Sequence, residues 1–150
     1  MNLDFSTWKS FAVSKILTIM NGKGITKEEI AENEGSFEVV QSGENNNGVI
    51  GKIDLVYCKS MGYTYTEKPC LTVARSGSAG FVSFQINGCV VGDSAKILLL
   101  DDCLATTEHY VFLQSILMAN KFKYTYGRKV TEKKYMNDLI DLPIQHNADG

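Results

Sequence analysis

One stretch of this chain, Thr106 to Asn120, carries apolar residues at helical spacing over several turns. The residues before it form short apolar runs divided by glycines and polar turns. A run of four to eight apolar or β-branched residues bounded by turn signals is a strand signal. Many such runs with few helices predict an α+β fold, not an alternating α/β sheet. Strands are expected over Ser36–Gln41, Val49–Val56, Leu71–Ala74, Phe81–Ile86, Cys89–Val91, Ala95–Leu100 and Leu139–Leu142. Residues 8–21 fit a strand, one helical turn started by Ser14, and a second strand ending at Gly22. Asn87-Gly88 is a hairpin signal.

The helices announce themselves through their caps. Thr26 and Glu29 have the spacing of a capping box, in which each side chain satisfies an amide freed by the other's position. Thr106 and Thr131 can cap the long helix and a final short one ending at Asn137. On the long helix, Tyr110, Leu113 and Leu117, with Phe112 and Ile116, form the face expected to meet the core. Lys59 to Pro69 reads as irregular. The length of 150 residues fits one domain, expected over 1–144, with a flexible tail over 145–150.

Composition excludes several classes. No apolar run approaches the roughly 20 residues of a membrane span, and no basic start followed by an apolar block marks a secretory signal. The cytoplasm is the expected compartment. Cys58, Cys70, Cys89 and Cys103 form no C-x-x-C pair, and only His109 and His146 could assist them, so free buried thiols are expected and no metal site or cofactor. Asp101-Asp102 reads as a strand-to-helix turn. No nucleophile–base pair stands out, and no enzymatic activity is expected.

Charge is low but uneven. The formal net charge is −2, yet residues 121–150 hold six basic and four acidic side chains. All six of these basic side chains fall in Asn120 to Lys134, where Lys121, Lys123, Arg128, Lys129, Lys133 and Lys134 accompany Phe122, Tyr124 and Tyr126. Such a stretch on a non-basic protein suits a polyanion. Lys121, Lys123, Arg128 and Lys129 can neutralise phosphates, with Tyr124 and Tyr126 packing or hydrogen bonding beside them. The bland alternative is a solvated loop whose tyrosines cover core.

Two further loops carry polar groups. Arg75 to Gly80, RSGSAG, lacks the lysine and spacing of a Walker loop. It reads as a strand connection with left-handed backbone at Gly77 and Gly80, and Arg75, Ser76 and Ser78 there would suit a phosphate or a base edge. Gln41, Ser42, Asn45, Asn46 and Asn47 could read bases, since amides match adenine bidentately. The competing reading for any one of them is an ordinary turn.

Taken in order along almost the full chain, these segments resemble the target-recognition domain of type I restriction-modification specificity subunits. The likeness is closer to the variant found in type IIG and type IIB enzymes. The matching residues are Trp8 and Phe11, Gly22-Lys23-Gly24 with Thr26, Val39-Val40-Gln41-Ser42 and Asn46-Asn47-Gly48-Val49-Ile50-Gly51. Leu71 through Gly80, Gly92-Asp93-Ser94-Ala95, Lys123 through Lys129 and Ile140-Asp141-Leu142-Pro143 complete the series. The resemblance implies a twisted, partly barrel-like mixed β-sheet with one long and a few short flanking helices. It implies a non-enzymatic module reading one half of a bipartite target in double-stranded DNA. The implied partners are methyltransferase and restriction subunits or domains, and a second recognition domain. An alternative is a phage-encoded decoy or protein-interaction domain of the same fold that docks on restriction-modification subunits. A small enzyme using the glycine loop is a third reading.

Overall fold

A computed structural model of the protein describes residues 8–121 and 130–143. The basic segment 122–129 and the tail expected over 145–150 lie outside the described residues.

Among the described residues, ten strands form three sheets. An antiparallel sheet of four has the order β2 (Leu17–Asn21), β9 (Ala95–Leu100), β6 (Cys70–Ala74), β7 (Val82–Gln85). A mixed sheet of four has the order β4 (Val49–Ile53), β3 (Phe37–Val40), β8 (Cys89–Val91), β5 (Tyr65–Thr66). In it β3 and β8 run parallel, and the other pairs are antiparallel. The first and last described strands, β1 (Trp8–Ala12) and β10 (Leu139–Pro143), pair with each other. The chain is therefore α+β, with hydrogen bonding divided among separate sheets.

The helices are α1 (Lys27–Glu32), α2 (Leu55–Met61), α3 (Thr107–Ala119) and α4 (Glu132–Asn137). The expected caps are present. Thr26 and Glu29 form the full capping box, Thr106 accepts from His109 N, and Thr131 accepts from Lys134 N. Glu29 also reaches beyond its own helix. Its carboxylate accepts from the hydroxyls of Tyr57, at 2.8 Å, and Tyr63. The Tyr63 bond first, then that of Tyr57, holds the carboxyl below its ordinary range. One side chain thus fastens α1 to α2.

Helix α3 buries Tyr110, Leu113 and Leu117 against the antiparallel sheet. Each such side chain contributes roughly 1.5–3 kcal/mol of transfer free energy. The Tyr110 hydroxyl also accepts from Leu100 N at 3.0 Å, satisfying the end of β9. Val130, Tyr135 and Ile140 close the same core, so the chain beyond segment 122–129 is anchored. A second core under the mixed sheet holds Ile25, Val39, Ile53, Cys58, Tyr63 and Val90. The seam between the sheets is a third cluster: Val40, Cys70, Cys89, Val91, Ala95 and Ile97.

Four expectations change. Val49–Val56 is not one strand: β4 stops at Ile53, and Asp54 caps α2 by accepting from Val56 N. Gly62, at φ 70°, ends that helix, so Lys59–Pro69 is not wholly irregular and includes β5. Asn87-Gly88 makes a turn but no hairpin, because β7 and β8 belong to different sheets. Cys103 is exposed, while Cys58, Cys70 and Cys89 are buried free thiols.

Where β2 ends, Gly22 lies against the turn joining β8 to β9. A Cβ on Gly22 would overlap the Gly92 carbonyl oxygen and approach Ala95 O to 2.9 Å. Backbone on both sides leaves no room for adjustment. Gly22→Ala is therefore expected to cost about 2 kcal/mol or more, measured by chemical denaturation. Gly24→Ala, whose Cβ would meet nothing within 4 Å, serves as the matched control and is expected to be close to neutral.

Candidate nucleic-acid interface

The parallel pairing of β3 with β8 brings the end of β3 beside the turn that leaves β8. At that place Gln41 and Ser42 meet Ser94. The Gln41 Oε1 atom accepts from Ser94 N at 3.1 Å and from Ser94 Oγ. Ser94 Oγ in turn accepts from Ser42 N at 2.9 Å. A Cβ on Gly92 would overlap the Gln41 amide, so Gly92 leaves the space in which that side chain lies.

The β6–β7 loop reaches the same point. Arg75 N donates to Ser94 O at 2.8 Å. Gly77 and Gly80 take φ of 65° and 86°, the left-handed backbone that the glycine spacing suggested. A Cβ on Gly77 would stand 3.3 Å from Ser42 Oγ, which places the glycine loop directly against the end of β3. Ser76 and Ser78 are half-buried within this loop.

Both ends of the basic segment come here too. Val130 N donates to Arg75 O at 2.9 Å. At the other end, Lys121 pairs with Glu44 in the loop after Ser42, and its ammonium lies 5.6 Å from the centre of the Phe81 ring. An exposed pair of this kind contributes at most about 1 kcal/mol, so a phosphate could displace the glutamate. Lys123, Tyr124, Tyr126, Arg128 and Lys129 lie outside the described residues; the described residues on either side of them, Lys121 and Val130, are both at this cluster.

Beneath the cluster sits a charge that sequence reasoning passed over. Lys96 is only 6% exposed. Its ammonium donates to Asn21 Oδ1 at 2.5 Å, and Asn21 Nδ2 donates to Glu132 Oε2 at 2.8 Å. Burial, and then the nearby Arg75 guanidinium, push the Lys96 pKa below its ordinary value. A lysine inside the apolar run Ala95–Leu100 was the available signal. Ser94 was equally overlooked as a functional position, although it lies within the matched stretch Gly92–Ala95.

The asparagines of the 45–47 loop are placed differently. Asn46 and Asn47 hold left-handed backbone at φ 52° and 59°. Asn46 Nδ2 donates to Val49 O at 3.3 Å, and Asn47 Nδ2 donates to Phe84 O at 2.7 Å. Gln85, itself buried, returns a bond from Nε2 to Asn47 O at 2.9 Å. These two residues line a cleft of about 410 Å³ with Glu38, Lys52 and Gln85. The Asn47 amide ties the loop to β7, and the Asn46 amide closes the turn onto the start of β4. Asn45 is exposed at the start of that turn.

His109 is a surface residue whose Nδ1 lies 2.8 Å from Leu104 O. Asp101 and Asp102 form the expected strand-to-helix turn, Asp102 pairing with Lys68 at 3.3 Å.

Comparison with other proteins gives the family. The model of the type I restriction modification DNA specificity domain matches residues 6–146, and the chain belongs to that family. It is similar to the specificity subunit S.BcgI of a type II restriction enzyme from Heyndrickxia coagulans. The two are 24% identical over 144 residues, which is 96% of this chain and 39% of that one. Among solved structures, the type I S subunit from M. genitalium superposes with a TM-score of 0.69 at 18% identity, over 95% of this chain and 36% of that one. The HsdS subunit from Thermoanaerobacter tengcongensis gives 0.65 at 15% identity, over 91% and 33%. The chain thus spans roughly a third to two-fifths of these relatives.

The Asn47 geometry generates a test. Asn47→Ala removes a 2.7 Å bond to the β7 backbone and puts alanine in left-handed backbone, so a loss of about 1–3 kcal/mol is expected. Asn45→Ala is expected to stay within about 0.5 kcal/mol. Thermal denaturation of the two variants separates the structural asparagine from the surface one.

Proposed function

We propose that residues 1–144 form a module that reads one half of a bipartite target in double-stranded DNA. It serves methyltransferase and restriction subunits or domains in the cytoplasm, alongside a second recognition domain, and performs no chemistry of its own. What carries this reading is the meeting, at one edge of the fold, of Gln41 and Ser42, the Arg75–Gly80 loop, and Lys121 and Val130, the described residues that flank the basic segment 122–129. The family points the same way. A duplex offers two kinds of group to such an edge, and the residues divide between them. Lys121, Lys123, Arg128 and Lys129, with Tyr124 and Tyr126, suit the phosphates that fix register. Arg75 suits guanine, whose O6 and N7 take a bidentate guanidinium. Ser42, Ser76 and Ser78 can accept or donate at a base edge.

The two four-stranded sheets share the seam around Cys70, Cys89 and Ile97. We read them as the partly barrel-like arrangement that the resemblance implied. The low net charge gives the lone domain little non-specific attraction. Affinity therefore depends on the partner domains, which raise effective concentration at a two-part site.

The division of labour is testable by binding. Alanine at Lys123, Arg128 and Lys129 together should weaken binding to all duplexes alike. It should also lower the slope of log affinity against log salt by about one for each charge removed. Arg75→Ala should instead relax the preference at one base pair, worth about 1–3 kcal/mol of discrimination. An unchanged salt slope in the triple variant, or an unchanged preferred sequence in Arg75→Ala, would remove those residues from the interface.

A further inference from the structure

We propose that Ser94 is a positioning residue that sets the base preference of this edge by locking Gln41 and Ser42 to the β8–β9 turn. The proposal rests on the DNA-reading function stated above. It assigns sequence discrimination to a side chain that need not touch DNA.

Ser94 is half-buried and uses every polar atom it has on this cluster. Its hydroxyl donates to Gln41 Oε1 while accepting from Ser42 N at 2.9 Å. Its own amide donates to Gln41 Oε1 at 3.1 Å, and its carbonyl accepts from Arg75 N at 2.8 Å. The hydroxyl has one proton and two lone pairs, so this single oxygen joins the Gln41 side chain to the backbone amide of the residue after it. Discrimination between bases requires donors and acceptors held to about 0.5 Å and 10–20°. Ser42 opens a long polar loop with half-buried Gly43 and exposed Glu44 and Asn45. Without the hydroxyl, that loop is anchored at its far end by Asn46 and Asn47, while at its near end Ser42 N is released and Gln41 is held by the Ser94 amide alone.

The two halves of the cluster are tied to Ser94 by different atoms. Ser94→Ala removes the hydroxyl bonds to Gln41 and Ser42, so Ser42 N loses its partner and Gln41 Oε1 keeps only the Ser94 amide, while the backbone bond to Arg75 is untouched. Its effect should therefore appear at base pairs other than the one lost in Arg75→Ala. A general weakening of the fold would not be selective in that way.

The experiment uses the full chain assembled with the methyltransferase it serves, titrated against its preferred duplex and against duplexes changed at one base pair. For Ser94→Ala, discrimination should fall about tenfold, the equivalent of about 1.4 kcal/mol, at positions Arg75→Ala leaves intact. The salt slope should be unchanged, because no phosphate contact is removed. Ser94→Thr keeps the hydroxyl and should restore discrimination. Gly92→Ala, which expels the Gln41 amide from its place, should reproduce the Ser94→Ala pattern. Full discrimination in Ser94→Ala, or equal weakening on every duplex, would overturn the positioning role. A wild-type assembly that shows no preference dependent on this chain would instead defeat the DNA-reading function itself.

Discussion

The structure depends on one crossing: the turn Gly92–Ser94, by which the chain leaves the mixed sheet at β8 and enters the antiparallel sheet at β9. Two sheets meet there with almost no space between backbones. Gly22 from the end of β2 lies against Gly92, and the Gln41 amide fills the space where a Gly92 side chain would stand. Close approach of this kind is available only to glycine. The same turn presents Ser94, which collects Gln41, Ser42 and Arg75. Joining of the sheets and assembly of the interface are thus one event, and damage to the crossing should register in both stability and recognition.

Around the crossing, charge is layered. Lys96 is buried and its ammonium reaches Glu132 only through Asn21. Arg75 lies close enough to depress its pKa. Lys121 stands at the rim, paired with Glu44. The buried lysine is thus held in place by Asn21, whereas Lys121 at the rim holds a more exposed carboxylate. That arrangement suits a site meant to meet an anion only when a partner holds it there, and it agrees with a chain whose overall charge is slightly negative.

Much of this was legible in the sequence, for reasons that differ by element. The capping threonines at 26, 106 and 131 act through neighbours three residues away, so local sequence is sufficient to find them. The left-handed glycines at 77 and 80 are local too. Helix α2 was hidden because Leu55-Val56-Tyr57-Cys58 prolongs the apolar run of β4. Asp54 and Gly62 were the signals that could have divided it. Asn87-Gly88 predicted a turn correctly, but which strand follows into which sheet is a non-local pairing. The loops proposed to contact DNA were singled out by their residue types. Ser94 and Lys96 were not, because their importance lies in partners 52 and 53 positions away for Ser94 and 75 positions away for Lys96. Asn46 and Asn47 were singled out as base readers by residue type; both are exposed, and each also donates one amide bond that holds the turn.

The central claim is that this chain decides half of a DNA target. Methylome sequencing of cells that carry its parent system, with and without the chain, tests it most directly. The predicted result is a bipartite methylated motif that is lost when the chain is removed. A second recognition domain substituted for this one should change only one half of that motif. A methylation pattern indifferent to the chain's presence would contradict the claim.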